Sequence, residues 1–518
     1  MQEVGQLLTI GFDGSEAPPH IFEAIRRGQA GGIVLFRRNI LSAQQVGELT
    51  RSLQGQAHEA GLPTLFIAID QEGGTVRRLT GSDFIPLPSQ MAMASANAPD
   101  LVERLLYLAG LEMAALGINQ NYAPVLDVNV NPQNPVIGIR SFGEDPGDVA
   151  RLGQHYIRGL QAAGILATAK HFPGHGDTHQ DSHKTLPTVA HPRERLESVE
   201  LVPFRAAVAA DVSAIMTAHV VFPAIEPTGL PATLSSRVLT ELIREELNFS
   251  GMVVTDSMEM QAITEKFGTA PGAQMAVQAG ADQVLVSHHQ DQQQGAYQAL
   301  LQGLAHGQIA QARIKDALYR VREAKDRLSQ ANLQITEAQR KEAWTLAETL
   351  WLRAVAGTGA LKKLPIRDTL VLVTFGDTEA TEAEDSPTKR QSHPLAEALG
   401  TQLKRHLLLP RDPSPSHVTE VHAASRGHAL LVALDRAALH PSQLTVLHRT
   451  WTEGPTIALA LSSPYDLRRL PVDALGLTAF DPSPEAMAAL ITVLRGDAPL
   501  MGRFPVSLED PRPARHHS

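Results

Sequence analysis

Up to about residue 287, short apolar segments rich in β-branched side chains alternate with longer amphipathic segments. The apolar segments are hydrophobic on both faces, which favours a parallel sheet covered by helices. Eight such repeats fit, in order and in length, an α/β fold of the (β/α)8 TIM-barrel type. We predict strands at 7–12, 32–36, 65–70, 122–128, 166–171, 214–220, 252–256 and 283–287, with intervening helices that include 43–54, 101–116, 149–162 and 239–247.

A second, shorter alternation follows a predicted helix over 335–356, which the Gly-Thr-Gly sequence at 357–359 ends. The chain has 518 residues, too many for one ordinary hydrophobic core. We therefore predict a TIM-barrel catalytic domain over 1–330, a helical linker over 331–360 and a smaller αβα sandwich domain over 361–518. The predicted strands of the sandwich are 369–374, 403–408, 429–434, 456–461 and 477–480, with helices at 392–400 and 484–494.

Composition argues against several classes of function. The formal net charge is −10 and the basic residues are not clustered, which speaks against nucleic-acid binding. The chain has no cysteine, so disulfides, thiolate metal sites and cysteine nucleophiles are excluded. No apolar segment is long enough for a membrane span, and the N-terminus lacks the basic start of a secretory signal. We expect a cytoplasmic protein with a small-molecule or oligosaccharide substrate and no cofactor; its oligomeric state stays open.

Polar residues lie where four of the apolar segments end. Asp70, His171, His219 and Asp256 each close such a segment or follow it closely, ahead of a loop. In a barrel the carboxyl ends of the strands form the active-site face. A strand that simply stops at the surface would also end in a polar residue, but that explanation is weaker for four residues together.

The segment 170–187 is crowded with imidazole and carboxylate side chains and is rich in Gly and Pro. Residues two apart on an extended segment point the same way, so Asp181 can hydrogen-bond His183 and raise its basicity. Such a pair can protonate a leaving group and later activate water. The same side chains are possible metal ligands, but zinc prefers fixed spacings that this loop does not provide, and we expect no metal. His175 and His179 receive no role.

Asp256 is a candidate nucleophile, because an ionised carboxylate at the mouth of a barrel strand suits attack on an anomeric carbon. The alternative is an N-cap of the next helix. Side chains able to bind neighbouring hydroxyls converge from other strand ends, unless they form salt bridges of the barrel rim. These side chains are Asp70, Arg78, Arg140, Lys170 and His171.

Taken together, these segments resemble glycoside hydrolase family 3, and within it the β-N-acetylglucosaminidases (β-hexosaminidases) of two-domain form. The second domain is similar to the family more loosely, through Ser-Pro-Tyr-Asp-Leu at 463–467 and Gly-Arg-Phe-Pro-Val-Ser-Leu at 502–508. The motifs of the first domain are Asp-Gln-Glu-Gly-Gly at 70–74, Ala-Pro-Val-Leu-Asp-Val at 123–128, Arg-Ser-Phe at 140–142, Lys-His-Phe-Pro-Gly-His-Gly at 170–176, Asp-Ser-His at 181–183, Met-Thr-Ala-His at 216–219 and Val-Thr-Asp at 254–256.

The resemblance implies a retaining exo-β-N-acetylglucosaminidase that removes terminal GlcNAc, with peptidoglycan fragments as the expected substrates. It implies that Asp256 forms a covalent glycosyl-enzyme and that His183, supported by Asp181, is the general acid/base. A histidine acid also avoids the repulsion between two close carboxylates. The residues implied to hold the sugar are Asp70, Arg78, Arg140, Lys170 and His171, with Met216 and His219 nearby.

Two other functions stay open on the sequence. One is a phosphorylase, because a histidine repels an incoming phosphate less than a carboxylate does. The other is a sugar-binding protein without catalysis, which the complete set of candidate catalytic residues makes less attractive.

Overall fold

The computed structural model describes residues 2–179, 185–328, 334–376, 393–450, 455–471 and 473–509. Eight parallel strands close in chain order into a barrel, in which β1 pairs with both β2 and β8. The predicted TIM barrel is therefore confirmed. Its strands are β1 (Leu8–Ile10), β2 (Gly32–Leu35), β3 (Phe66–Ile69), β4 (Gln120–Asn121), β5 (Leu166–Phe172), β6 (Ala214–Thr217), β7 (Met252–Ser257) and β8 (Gln283–Val286).

Helices cover the outside of the barrel, and side-chain caps fix several of their starts. The hydroxyl of Ser42 accepts the backbone N–H of Gln45, and the carboxylate of Asp145 accepts that of Asp148. The helices are α1 (Pro19–Arg26), α2 (Ala43–Glu59), α3 (Gln90–Ala96), α4 (Pro99–Ala115), α5 (Pro146–Ala162), α6 (Arg193–Ser198), α7 (Leu201–Ala209), α8 (Gln261–Thr264), α9 (Thr269–Ala279), α10 (Gln290–Ala305) and α11 (Gln311–Leu328), with a π-helical segment at Arg237–Glu246.

The fourth strand differs from its prediction. We expected a strand over 122–128, but β4 is Gln120–Asn121 and ends before that segment begins. The backbone beyond it still follows β5, since Lys170 N donates to Pro124 O at 3.0 Å and Leu126 N to Lys170 O at 2.6 Å. Pro124 has no N–H and cannot continue a regular ladder. The predicted segment is therefore a buried, irregular continuation of the strand.

A six-stranded sheet forms the second domain, in the order β11-β10-β12-β13-β14-β9. Its edge strand β9 pairs antiparallel with β14 and occupies 356–359, where we had expected only the end of a helix. Our division of the chain at 330 and 360 stays a prediction. The strands are β9 (Ala356–Gly359), β10 (Leu370–Phe375), β11 (Leu403–Leu409), β12 (Ala429–Leu434), β13 (Thr456–Ala460) and β14 (Leu475–Thr478); the helices are α12 (Glu337–Ala354), α13 (Pro394–Leu399), α14 (Pro415–Ala424), α15 (Ser442–Arg449) and α16 (Pro484–Leu494).

The second domain turns the carboxyl ends of its parallel strands towards the mouth of the barrel. After β14, the carboxylate of Asp481 accepts the backbone N–H of Ser89 at 2.9 Å and the indole N–H of Trp351 at 3.1 Å. After β13, the hydroxyl of Tyr465 accepts a hydrogen bond from Asn129 at 3.0 Å. One buried hydrophobic cluster runs through both domains, with Trp351 of α12 inside it. Within the described part of the chain, no helix combines the length and hydropathy of a membrane span.

Candidate active site

A cleft of about 190 Å³ opens at the carboxyl ends of the barrel strands. This is the face on which TIM-barrel enzymes carry their active sites. The cleft brings together most of the site residues predicted from the sequence; Asp181 and His183 lie outside the described residues. The predicted residues that line it are Asp70, Arg78, Arg140, Lys170, His171, Met216 and Asp256.

A network of paired charges forms one wall of the cleft. Lys170 at the end of β5 lies 2.7 Å from the carboxylate of Asp70 and 2.6 Å from that of Glu72. The guanidinium of Arg140 donates to both oxygens of Glu72, at 2.8 Å each. Arg78 lies 3.7 Å from the second oxygen of Asp70. Alternating cations and anions therefore hold the side chains of this wall in place.

Burial makes these pairings strong. Glu72 is 1% exposed and Lys170 2%. Burial alone raises the pKa of Glu72, but Arg140 and Lys170 outweigh it and hold that pKa far below its ordinary value. Burial lowers the pKa of Lys170, but Asp70 and Glu72 outweigh it and raise that pKa overall. Glu72 and Lys170 are thus both charged at neutral pH.

Asp127 organises a second part of the wall. Its carboxylate accepts the Nδ1–H of His171 at 2.7 Å and the backbone N–H of His175 at 2.6 Å. This carboxyl group is completely buried, which raises its pKa, yet His171 outweighs the burial and its pKa is lowered. Because Nδ1 of His171 is bound to Asp127, the ring keeps Nε2 for the cleft.

His175 stands behind His171 and is also buried. The two rings meet edge to face with centroids 6.0 Å apart, and Nδ1 of His175 lies 2.8 Å from the hydroxyl of Thr178. Burial lowers the pKa of His175 to about 4, so its ring is neutral at physiological pH. His179, which also had no role from sequence, lies 3.1 Å from the side-chain amide of Asn131.

Asp256 lies at the end of β7 and is partly exposed, whereas Glu72 and Asp127 are buried. Its Oδ1 accepts the backbone N–H of Ser257 at 2.7 Å, which orients the carboxylate at the edge of the cleft. Met216, at the end of β6, provides an apolar surface beside it. An accessible, oriented carboxylate at the edge of a cleft is suited to nucleophilic attack on a bound substrate.

His219 does not line the cleft, although we had expected it near the sugar. It is 1% exposed, its Nδ1 lies 2.8 Å from the hydroxyl of Thr233, and its Nε2–H donates to the carbonyl of Ser257 at 2.9 Å. The ring therefore supports the turn that follows Asp256. This geometry is that of a positioning residue.

These observations fit a known family. Residues 1–324 match the "Glycosyl hydrolase family 3 N terminal domain". The chain belongs to glycosyl hydrolase family 3. The resemblance stated from the sequence, including the β-hexosaminidase branch of the family, is confirmed by the relatives that follow.

Three relatives show how far the similarity extends. A "Beta-hexosaminidase A" of Pseudoalteromonas piscicida is 33% identical over 418 residues, covering 76% of this chain and 68% of that protein. A "Beta-hexosaminidase" of Pseudomonas aeruginosa (strain LESB58) is 39% identical over 265 residues, covering 51% of this chain and 77% of that protein. The solved structure of a family 3 β-N-acetylglucosaminidase from Paenibacillus sp. str. FPU-7 superposes with a TM-score of 0.91, at 37% identity and 98% coverage of both chains.

For four residues at this site, the sequence analysis predicted no role. Glu72 and Asp127 belong to motifs given in the sequence analysis. Their partners Arg140 and His171 lie 68 and 44 positions away, and only the fold brings them together. His175 was noted without a role. Glu259 closes the opposite rim, where its carboxylate accepts the backbone N–H groups of Ser287 at 2.5 Å and His288 at 2.6 Å. A signal for the first two existed: a buried-looking acid beside apolar residues needs a cationic partner.

Proposed function

We propose that the protein is a retaining exo-β-N-acetylglucosaminidase, a hydrolase that removes terminal GlcNAc residues through a covalent intermediate on Asp256. One observation carries the proposal: Asp256 shares a cleft with the charged wall of Asp70, Arg78, Lys170 and His171. The wall supplies acceptors and donors for the hydroxyls of one sugar ring, and Asp256 lies where its anomeric carbon is attacked.

In this mechanism Asp256 attacks the anomeric carbon while a proton is delivered to the glycosidic oxygen. The bond to the leaving group breaks, and a glycosyl-aspartate forms. We assign the proton to His183, with Asp181 holding the imidazole, as the resemblance implies. The same histidine, now neutral, takes a proton from water, which attacks the anomeric carbon and restores Asp256. Two displacements on one carbon give retention of configuration.

We further propose that the natural substrates are peptidoglycan fragments with a terminal GlcNAc. The relatives described above are β-hexosaminidases by name, which favours hydrolysis over phosphorolysis. The proposed mechanism needs no metal or organic cofactor, since each step uses a carboxylate, an imidazole or water.

Stereochemistry tests the proposal most directly. In a proton NMR time course on a β-GlcNAc glycoside, we expect the β-anomer of GlcNAc first and the α-anomer only after mutarotation. Initial release of the α-anomer would contradict a covalent intermediate.

A second test addresses the general acid. His183→Ala is expected to lose most of its turnover of GlcNAc glycosides with a poor leaving group. It should lose much less on dinitrophenyl β-GlcNAc, because the departure of dinitrophenolate needs little protonation. His58→Ala, an exposed histidine on α2, is the matched control.

A further inference from the structure

The charged wall of the catalytic cleft packs against a short barrel segment that the second domain holds. This segment is the start of α3, where the hydroxyl of Ser89 caps the helix by accepting the backbone N–H of Ala92 at 3.0 Å. Every residue of α3 is buried, and the described residues that line the catalytic cleft include none of them. The helix can therefore affect the cleft only through the loops that it contacts.

Two hydrogen bonds attach Ser89 to the second domain. Its hydroxyl donates to the carbonyl of Phe480 at 2.5 Å, and its backbone N–H donates to the carboxylate of Asp481 at 2.9 Å. Asp481 is 1% exposed and accepts two further bonds, from the indole N–H of Trp351 and the backbone N–H of Ser483. A buried carboxylate with three donors has little freedom to move, so Ser89 is bound to a fixed point.

The far end of α3 is held in a similar way. The hydroxyl of Ser95 donates to the carbonyl of Ala354 at 2.7 Å, and the carbonyl of Ser95 accepts the backbone N–H of Arg503 at 3.3 Å. Ala354 is the last residue of α12, and Arg503 lies beyond α16. The chain beyond the barrel therefore holds α3 at both ends.

Ser89 and the residue before it support the loop 70–78, which carries three charged side chains of the wall. A Cβ on Gly73 would lie 2.1 Å from the carbonyl oxygen of Pro88, and a Cβ on Gly74 would lie 2.6 Å from the Cβ of Ser89. Only glycine permits such a close approach of two backbones. Because nothing separates the two segments, a displacement of Ser89 displaces this loop as well.

Gln90, the first residue of α3, supports the other part of the wall. Its side-chain amide donates to the carbonyl of Val125 at 2.7 Å and accepts the backbone N–H of the same residue at 2.9 Å. Val125 lies two positions before Asp127, whose carboxylate holds the ring of His171. Two consecutive residues at the start of α3, Ser89 and Gln90, thus contact both loops that build the wall.

We propose that the second domain positions the charged wall through Ser89, and that Asp481 is the residue that fixes Ser89. This inference rests on the proposed function, which assigns the wall to the hydroxyls of the sugar. The described residues that line the catalytic cleft all belong to the barrel, so both residues act through others and are positioning residues. Loosening the wall weakens binding of the substrate and of the transition state alike, which raises KM and leaves kcat nearly unchanged.

Two buried N-cap serines provide a matched pair of variants. Ser89→Ala removes the cap of α3 and the bond to Phe480. Ser483→Ala removes the cap of α16, where its hydroxyl accepts the backbone N–H of Ala486 at 3.3 Å, and leaves the contacts of Ser89 intact. Both variants should therefore lower the melting temperature by a similar amount.

Their kinetics should differ. We expect Ser89→Ala to raise KM for p-nitrophenyl β-GlcNAc by about three- to tenfold, the size of one lost hydrogen bond. Its kcat should change less than about twofold, and Ser483→Ala should change neither constant. Equal KM values in the two variants would overturn the proposal.

Hydrogen exchange followed by mass spectrometry tests the inference without turnover. In Ser89→Ala we expect the amides of 70–78 and 123–128 to exchange faster than in the wild type, while those of β6 keep their rates. Ser483→Ala should leave all three regions unchanged. Unchanged exchange in the two loops of Ser89→Ala, or faster exchange throughout the barrel, would refute a positioning role. If the wild type does not cleave the glycoside, the proposed function is wrong, and the exchange pattern still decides about Ser89.

Asp481→Asn tests the same contact from the second domain and serves if Ser89→Ala does not fold. Asparagine keeps the shape of the side chain but offers one acceptor oxygen to the three N–H donors. We expect the same rise in KM and the same faster exchange of 70–78. Asp291→Asn, at an exposed acid on α10, is the control. Wild-type KM and wild-type exchange in Asp481→Asn would exclude Asp481 from this role.

Discussion

The two walls of the catalytic cleft use carboxylates in opposite ways. On one wall, Glu72 and Asp127 are 1% and 0% exposed and have cationic or imidazole partners within 2.8 Å. On the other, Asp256 is partly exposed and is oriented by the backbone N–H of the next residue. The buried carboxylates hold the charged side chains of the wall in place, whereas the accessible one is the proposed nucleophile. Substitutions on the two walls should therefore separate stability from activity.

The largest effect is expected at Asp256. We predict that Asp256→Ala lowers kcat/KM on a GlcNAc glycoside by about four orders of magnitude, because the nucleophile is lost. Its melting temperature should stay close to that of the wild type, since the carboxylate is partly exposed. The measurements are initial rates with p-nitrophenyl β-GlcNAc and a thermal melt. Asp291→Ala, an exposed acid at the start of α10, serves as control; full activity of Asp256→Ala would refute the mechanism.

At Glu72 we expect the opposite pattern, in which the main effect is on stability. We predict that Glu72→Gln lowers the free energy of unfolding by about 3–5 kcal/mol, because Arg140 and Lys170 are left buried without their anion. Urea unfolding measures this change, with Glu348→Gln on the exposed face of α12 as the control. A loss of activity with unchanged stability would show that the buried pair is not structural.

The lowered pKa of Glu72 also makes the free energy of unfolding depend on pH. Its folded-state pKa is depressed below the ordinary value near 4.5, so its contribution is complete above that value and is lost as the pH falls below it. In the Gln variant this part of the acid dependence should be absent.

How far the sequence predicted these walls depends on how local each feature is. The barrel was predicted from repeated apolar segments, and the cleft residues were predicted from polar residues at strand ends. Both predictions were possible because each pattern lies within a short stretch of the sequence. Asp70 and Arg78 lie eight positions apart, within one loop, and their proximity was predictable. The bond between Arg140 and Glu72 spans 68 positions. That pairing depends on which strands become neighbours and on how their loops fold back, so residue type alone did not reveal it.

One predicted strand is irregular and one observed strand was not predicted, for different physical reasons. Pro124 interrupts the ladder of a segment whose apolar side chains read as a strand. Conversely, β9 consists of Ala, Gly and Thr, a composition with little β-propensity, and it forms because the unpaired edge of β14 accepts it. At 122–128 the sequence itself carried the interruption, whereas at β9 tertiary context outweighed the local signal.

A smaller effect on stability is expected from the buried ring of His175, in contrast to exposed histidines. Burial lowers its pKa from 6.5 to about 4, so the unfolded chain binds a proton between these values while the folded protein does not. Stability is then complete above pH 6.5 and falls by up to about 3 kcal/mol as the pH approaches 4. His175→Gln should flatten the curve of unfolding free energy between pH 6.5 and 4.5, relative to the wild type. His58→Gln should leave its slope unchanged; equal slopes in wild type and His175→Gln would contradict the buried neutral ring.

The smallest effect concerns a contact between the second domain and a loop of the barrel. The hydroxyl of Tyr465 accepts a hydrogen bond from Asn129 at 3.0 Å, and both residues line a smaller cleft that shares Arg140 with the catalytic cleft. Tyr465→Phe keeps the ring but removes this bond, which should cost about 1 kcal/mol of unfolding free energy. Tyr319→Phe, at a tyrosine that is 63% exposed, is the matched control. If the second domain shapes the catalytic cleft, Tyr465→Phe also has a higher KM for p-nitrophenyl β-GlcNAc than the wild type. A stability loss with an unchanged KM would instead confine this contact to holding the domains together.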